Sequence, residues 1–386
     1  MNLYNLEVIG RKNKVDIHIA GGKIKSIRDS ENNFPQSTDN RIHFEDAIAF
    51  AGLINSHDHL DFNLFPQMGN RFYKNYDEWG RDIHSVNKEN IRSVLKIPQA
   101  LRTEWGLYKN LLNGITTVVN HGQKLQISND LITVIQNNYS LHSVKFEEWW
   151  RLKLNSFISR KQSYVIHIGE GTDASSKAEI DDLIKWNLFK RKIIGVHGVA
   201  MNEEQAKAFY AIVWCPSSNR FMLNATSAID ELKAKTKILF GTDSTLTASW
   251  NLWDQLRYAR DTLLLTDHEL YNALTKTAAE IWNLGESGAI NDGYVADLCI
   301  AKTNGKRGFD ALYDVNPGDM LLIMHKGEVR LFDKALRKQM IECGIQAGKF
   351  STIYLDDKIK FVFGNVPALL NDIRSYYPQA HFPIST

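Results

Sequence analysis

Cysteine is scarce in this chain, with three in 386 residues: Cys215, Cys299 and Cys343, far apart and odd in number. Such spacing argues against a disulfide framework and fits a reducing compartment. Long apolar runs are missing too. No window approaches the roughly 18 uninterrupted apolar residues of a bilayer-spanning helix. Met1-Asn2-Leu3-Tyr4-Asn5-Leu6-Glu7 has no basic stretch leading into an apolar one, so no signal peptide is expected. Nor does charge of one sign dominate: 46 Lys and Arg against 44 Asp and Glu leave a net charge of +2. The densest basic run, Lys190-Arg191-Lys192, reads as a solvated helix end. Neither nucleic acid nor a membrane surface is an expected partner. No internal repeat or low-complexity segment stands out. The expectation is a soluble, cytoplasmic protein acting on a small molecule.

What is present is apolar material, 44% of the residues. That suffices for a main domain of about 250 residues and a smaller one beside it. Near the start, Val15-Asp16-Ile17-His18-Ile19 and Lys23-Ile24-Lys25-Ser26-Ile27 alternate around Gly21-Gly22, a hairpin signal, and Ser30 to Asn40 is polar and loop-like. A β pattern returns at Val295 to Ala301 and Met320 to Met324. Between these ends, short apolar strands alternate with helical patterns: Leu53–Ser56, Ile115–Asn120, Leu131–Ile135, Ser143–Phe146, Tyr164–His167, Ile193–His197, Ala211–Cys215 and Ile238–Gly241. Eight such units predict an α/β fold, a (β/α)8 TIM-type barrel over residues 53–285. A small β-sandwich domain is expected from both termini, residues 1–52 plus 286–386. The fold of residues 331–386 is left open.

His57-Asp58-His59 follows the apolar run Ile48 to Ile54. In an extended strand, residues two apart share a side, so the two imidazoles stand together at a strand mouth. Val165-Ile166-His167 and Gly195-Val196-His197 end further strands in histidine, and Leu239-Phe240-Gly241-Thr242-Asp243 closes the last in aspartate. Barrel strands converge at their C-terminal ends. His57, His59, His167, His197 and Asp243 therefore form one set of nitrogen and oxygen donors, suited to Zn²⁺, Fe²⁺ or Mn²⁺. Glu170 follows His167 across Gly169, where glycine lets the chain curl, and is placed to act as a general acid or base. His121 can face the same bowl, as a substrate contact or equally as a structural residue. Trp149-Trp150 fits core packing better than a roof over substrate, and Cys215 reads as a buried thiol.

These segments resemble the amidohydrolase superfamily, in the branch of cytosine, guanine and S-adenosylhomocysteine deaminases and triazine hydrolases. The resembling pieces are Gly52 to Leu60, Gly114-Ile115-Thr116-Thr117-Val118-Val119, His167-Ile168-Gly169-Glu170, Val196-His197-Gly198, Cys215-Pro216-Ser217-Ser218-Asn219 and Gly241-Thr242-Asp243-Ser244. Gly288-Ala289-Ile290 with Gly293 to Leu298 resembles the family's return to its β domain. The resemblance implies one divalent metal, zinc in the first place and iron as the alternative, held by His57, His59, His167 and Asp243. It implies that His197 orients water or a developing oxyanion, that Glu170 shuttles a proton to a ring nitrogen, and that Asp243 passes another towards the leaving group. The implied reaction is hydrolysis of a non-peptide C–N bond, above all deamination of an amino-substituted heterocycle. Amide, cyclic-amide or halide hydrolysis at the same site is the rival, and a metal-binding homologue without turnover the outside alternative. Lys145 is the one candidate for a carboxylated lysine bridging two metals. A homodimer is the assembly the resemblance suggests.

Overall fold

The structure, a computed structural model, describes residues 1–30, 40–127, 129–157 and 162–386. The polar segment expected as a loop between Ser30 and Asn40 therefore lies outside the described residues except at its two ends.

Eight short strands occupy the middle of the chain: β1 (Leu53–Asp58), β2 (Ile115–Asn120), β3 (Thr133–Ile135), β4 (Tyr139–Ser143), β5 (Tyr164–Ile168), β6 (Ile193–His197), β7 (Ala211–Trp214) and β8 (Lys237–Phe240). Every pairing among them is parallel. They form a three-stranded sheet, β1-β2-β3, and a five-stranded one, β4-β5-β6-β7-β8. β1, β2, β5, β6 and β7 are buried along their whole length; β7 is apolar throughout, and β1, β2 and β6 end in polar side chains that face the site end. Hydrogen bonds cross between the two sheets at both sides. Asp243 N–H donates to His57 O at 3.1 Å, beyond the end of β8, and Gly122 N–H donates to Ser140 Oγ at 2.8 Å, beyond the end of β2.

The expected strand at Ser143–Phe146 is displaced. β4 comes earlier, at Tyr139–Ser143, and Lys145 and Phe146 fall beyond it. Its sequence, Tyr-Ser-Leu-His-Ser, alternates polar and apolar side chains and hides a strand that a purely apolar run would reveal. The third strand is also shorter than Leu131–Ile135. Only Gln136, Asn137 and Asn138 separate β3 from β4, so no helix completes that unit.

Strands from both ends of the chain build one mixed sheet. The N-terminal part gives Asn2–Val8, Val15–Ala20, Lys23–Asp29, Arg41–His43 and Ala47–Ala51; the C-terminal part gives Leu298–Lys302, Met320–His325, Glu328–Asp333, Phe350–Leu355, Lys358–Phe363 and Ile384–Ser385. Gly21 and Gly22 turn the expected hairpin with φ of +57° and +74°. The pairing path is unbroken, where a sandwich would be two sheets. Asn2–Val8 is the reason: Asn2 and Leu3 pair with Val15–Ala20 and Arg41–His43, while Glu7 and Val8 pair with Ala47–Ala51. One strand thus passes between the two groups. The open C-terminal region extends the same sheet. Among the described residues no helix is long and apolar enough to cross a membrane.

Two glycines lock this frame to the site. Gly52 alone joins Ala47–Ala51 to β1, and a Cβ on it would lie 2.3 Å from Thr116 Oγ1. Gly106 sits in the helix Gln99–Leu112 where that helix presses on the turn after His59; a Cβ there would lie 2.1 Å from Leu60 O. Alanine is the better helix former by about 1 kcal/mol, yet the clash meets backbone and cannot rotate away. Gly106→Ala is expected to be destabilising by about 1–3 kcal/mol, as overpacking usually is. A urea midpoint equal to wild type would show that the helix backs off freely.

Candidate active site

His57 is fully buried in β1, and His59 lies just past the strand end with φ −103° and ψ 89°. Their rings meet edge to face with centroids 5.0 Å apart. His167 of β5 brings its Nε2 to 3.2 Å from His57 Nε2. Asp243, just beyond β8 with φ +55°, places Oδ1 at 3.8 Å from His57 Nε2 and 3.9 Å from His59 Nε2. A tetrahedral site with bonds of about 2.0–2.1 Å has donor atoms about 3.3 Å apart, so these separations fit a small divalent cation. The chemistry fits as well. Burial first, then the neighbouring imidazoles, hold His57 and His167 well below their usual pKa, so both offer neutral lone pairs, as a metal requires. His57 Nδ1 is buried without a hydrogen-bond partner. The donor atoms of His57, His59 and Asp243 lie within 4.8 Å of one another, as do those of His57, His167 and His197, so His57 links two triads that between them contain the four residues expected as ligands.

His197, on the strand beside His167, has φ +73° and lies one register step away from it. Its Nδ1 donates to Asn219 Oδ1 at 2.8 Å, which leaves Nε2 as an acceptor 3.3 Å from Glu170 Oε1. Glu170 reaches this place because Gly169 adopts φ +59°, where a Cβ would meet Ile180 Cδ1 at 2.7 Å. Burial, followed by the charges of Asp243 and Glu179, pushes the Glu170 carboxyl well up, towards its protonated form. Asp243 goes the other way. Burial acts to raise its pKa, but His59, His197 and hydrogen bonds from Ser218 and the Ser244 backbone outweigh that and lower it. Ser218 Oγ and Thr247 Oγ1 donate to Asp243 Oδ2 at 2.8 and 3.0 Å. Two buried carboxyls thus face one cavity with their pKa values pushed in opposite directions, the arrangement that separates acid from base.

Behind Glu170, Glu179 Oε1 accepts Gly169 N–H at 2.8 Å and Oε2 accepts the Tyr76 hydroxyl at 3.3 Å. Burial pushes the Glu179 carboxyl up to about 7.

Above these groups opens a cavity of about 500 Å³. Phe62, Tyr76, Trp79, Phe146 and Leu246 wall it, and His59, His167, Glu170, His197 and Asp243 face it. Trp149 is exposed and Trp150 buried, and neither lines it, so core packing describes Trp150 only. His121 is buried against the donor set, its ring centroid 4.4 Å from that of His167. It lines an adjoining cavity of about 420 Å³ that shares His59, Phe62 and His142 with the first. Its Nδ1 meets Ser140 Oγ at 3.1 Å and its Nε2 has no partner. Lys145 is exposed at the rim and donates to Ser175 Oγ. Cys215 is buried, and burial raises its thiol pKa, so it stays protonated.

The sequence reading missed His142 and the aromatic walls, and quoted Ser218 and Asn219 in a resembling segment without giving them a role. For Asn219 and Ser218 a signal exists: Cys215-Pro216 after a strand puts proline at the first position of a helix, here Pro216–Leu223. That helix starts at a strand's C-terminal end, so the polar residues of its first turn come to stand beside the site.

Residues 159–350 match the amidohydrolase family. The chain belongs to that family. No curated protein sequence matches it. Among solved structures, this amidohydrolase is similar to an atrazine chlorohydrolase from Arthrobacter aurescens TC1 complexed with zinc, at 17% identity and a TM-score of 0.64 over 85% of this chain and 94% of the other. A guanine deaminase from C. acetobutylicum with bound guanine is similar at 15% identity and TM-score 0.63, over 85% and 99%. An adenosine deaminase from Xanthomonas campestris with bound zinc follows at 14% and 0.65, over 98% and 99%. At these identities the likeness is one of fold.

Proposed function

We propose that this amidohydrolase deaminates an amino-substituted heterocycle. The observation that carries the reading is geometric: Glu170, 3.3 Å from His197, and Asp243, 3.8 and 3.9 Å from His57 and His59, both face a cavity walled by aromatic rings. Zinc, present in two of the similar structures, with iron as the alternative, would be held by His57, His59, His167 and Asp243 and would supply a water activated at neutral pH. Glu170 gives its proton to the ring nitrogen beside the scissile carbon and recovers one from the adduct's hydroxyl as the carbonyl forms. Asp243 takes a proton from the attacking water and passes it to the departing amine, so that ammonia leaves. His197 Nε2, kept an acceptor by Asn219, orients the water by accepting its O–H. Stacking on flat walls such as Phe62 and Trp79 suits an aromatic substrate.

The same reading closes the eight parallel strands into a (β/α)8 barrel over residues 53–285, with residues 1–52 and 286–386 as a composite β domain. The folds of the similar structures support it.

Ammonia release and product formation from purine, pyrimidine, pterin and triazine amines, set against linear N-acyl amides, test the reaction class. A linear amide lacks the ring nitrogen that Glu170 serves. Amino-heterocycles are expected to lead in kcat/KM by at least about tenfold, the worth of one lost contact of about 1.4 kcal/mol. Faster hydrolysis of linear amides would replace deamination by the amidase reading. Turnover of a halogenated ring without ammonia would favour the halide reading, which the atrazine chlorohydrolase supports.

A further inference from the structure

Lys109 belongs to none of the motifs quoted above. It lies in the helix Gln99–Leu112 with only 1% of its surface exposed, and its ammonium group is enclosed beneath the donor set. Nζ donates to Asp58 Oδ2 at 3.1 Å, to Thr242 Oγ1 at 3.0 Å and to Asp243 O at 3.4 Å. All three ammonium protons are thereby used. Asp58 is the residue between His57 and His59, and its fully buried carboxylate also accepts Asn110 Nδ2 at 2.7 Å and Asn63 Nδ2 at 2.9 Å. Thr242 Oγ1 donates in turn to Asp243 O at 2.9 Å. One cation therefore ties the segment bearing two histidines to the turn bearing the aspartate. That turn needs holding, since Asp243 has φ +55°, a conformation that residues other than glycine rarely keep without support.

Stability alone does not explain such a pair. Two charges taken out of water lose about as much as they regain, and apolar replacements of similar size are often neutral or better. We propose that Lys109 is a positioning residue, which sets the spacing between His57–His59 and Asp243 through Asp58 and Thr242 and so governs how tightly the site holds its metal. The inference rests on the metal site proposed above, but the two can fail separately.

The test is zinc affinity of the whole protein, measured with zinc alone by competition against a chromogenic chelator. The double variant Lys109→Met with Asp58→Asn removes both charges and leaves none stranded. Its thermal midpoint is expected to stay near wild type while zinc binding weakens by about 10- to 100-fold, the usual cost of losing a group that orients metal ligands. A matched control is the remote pair Lys360–Asp333, with Lys360 fully buried in the terminal sheet and Nζ to Oδ2 at 2.6 Å. Lys360→Met with Asp333→Asn is expected to leave zinc affinity unchanged. A purely structural role for Lys109 would make zinc affinity follow the thermal midpoint in both pairs alike. Should the first double variant not fold, Thr242→Val removes one of the three acceptors and is expected to weaken zinc binding in the same direction. Wild-type zinc affinity in either folded variant overturns the role of Lys109, whereas no zinc binding by the wild type overturns the metal site itself.

Discussion

His59→Ala is expected to strip the protein of both its metal and its turnover. His59 supplies one of four donors, and its Nε2 is 3.9 Å from Asp243 Oδ1 across the site. It is also the least buried of the three imidazoles, so the gap left by the smaller side chain opens to water. Three donors remain, and a tetrahedral set reduced by one no longer encloses the ion. Elemental analysis of the purified proteins checks this: one equivalent per chain in wild type and close to none in the variant. A variant that keeps a full equivalent removes His59 from the ligand set. Two equivalents in wild type would instead bring Lys145 back as a bridging ligand.

Glu170→Gln separates chemistry from binding. Glutamine keeps the shape and can still meet His197 Nε2 through its amide, but it carries no exchangeable acid proton. Metal content and thermal midpoint are expected to match wild type, while kcat falls by about 10² to 10⁴, the usual contribution of a placed acid or base. A near-wild-type kcat on an amino-heterocycle would leave Glu170 without a part in the reaction. Together the two variants distinguish loss of the site from loss of one step at it.

The strands that carry the donors were legible because burial on both faces writes them as apolar runs. Ile115–Asn120 and Ile193–His197 appear at the expected bounds. β4 was misplaced because its polar side chains serve the site: Ser140 meets His121, and His142 lines both cavities. Histidines and an aspartate at strand ends announce themselves through position. Lys109 does not, since a lysine in an amphipathic helix looks like any solvated one until tertiary packing encloses it. The cavity walls escape for a similar reason. Trp79 comes from the helix Tyr76–Val86, Phe62 from the turn after His59 and Phe146 from beyond β4, and only the fold makes them neighbours.

The single-glycine joint at Gly52 bears on how such a chain comes to fold. Ala47–Ala51 is hydrogen-bonded along its length to Leu298–Lys302, which is made only after every strand bearing a metal-type ligand. The lead into β1 has Glu7 and Val8 as an early partner on one flank, but its other flank is covered only by a segment from far along the chain, and loop closure over that span must precede its reward. Synthesis can deliver all the donors long before the ribbon that aligns the first two of them is complete.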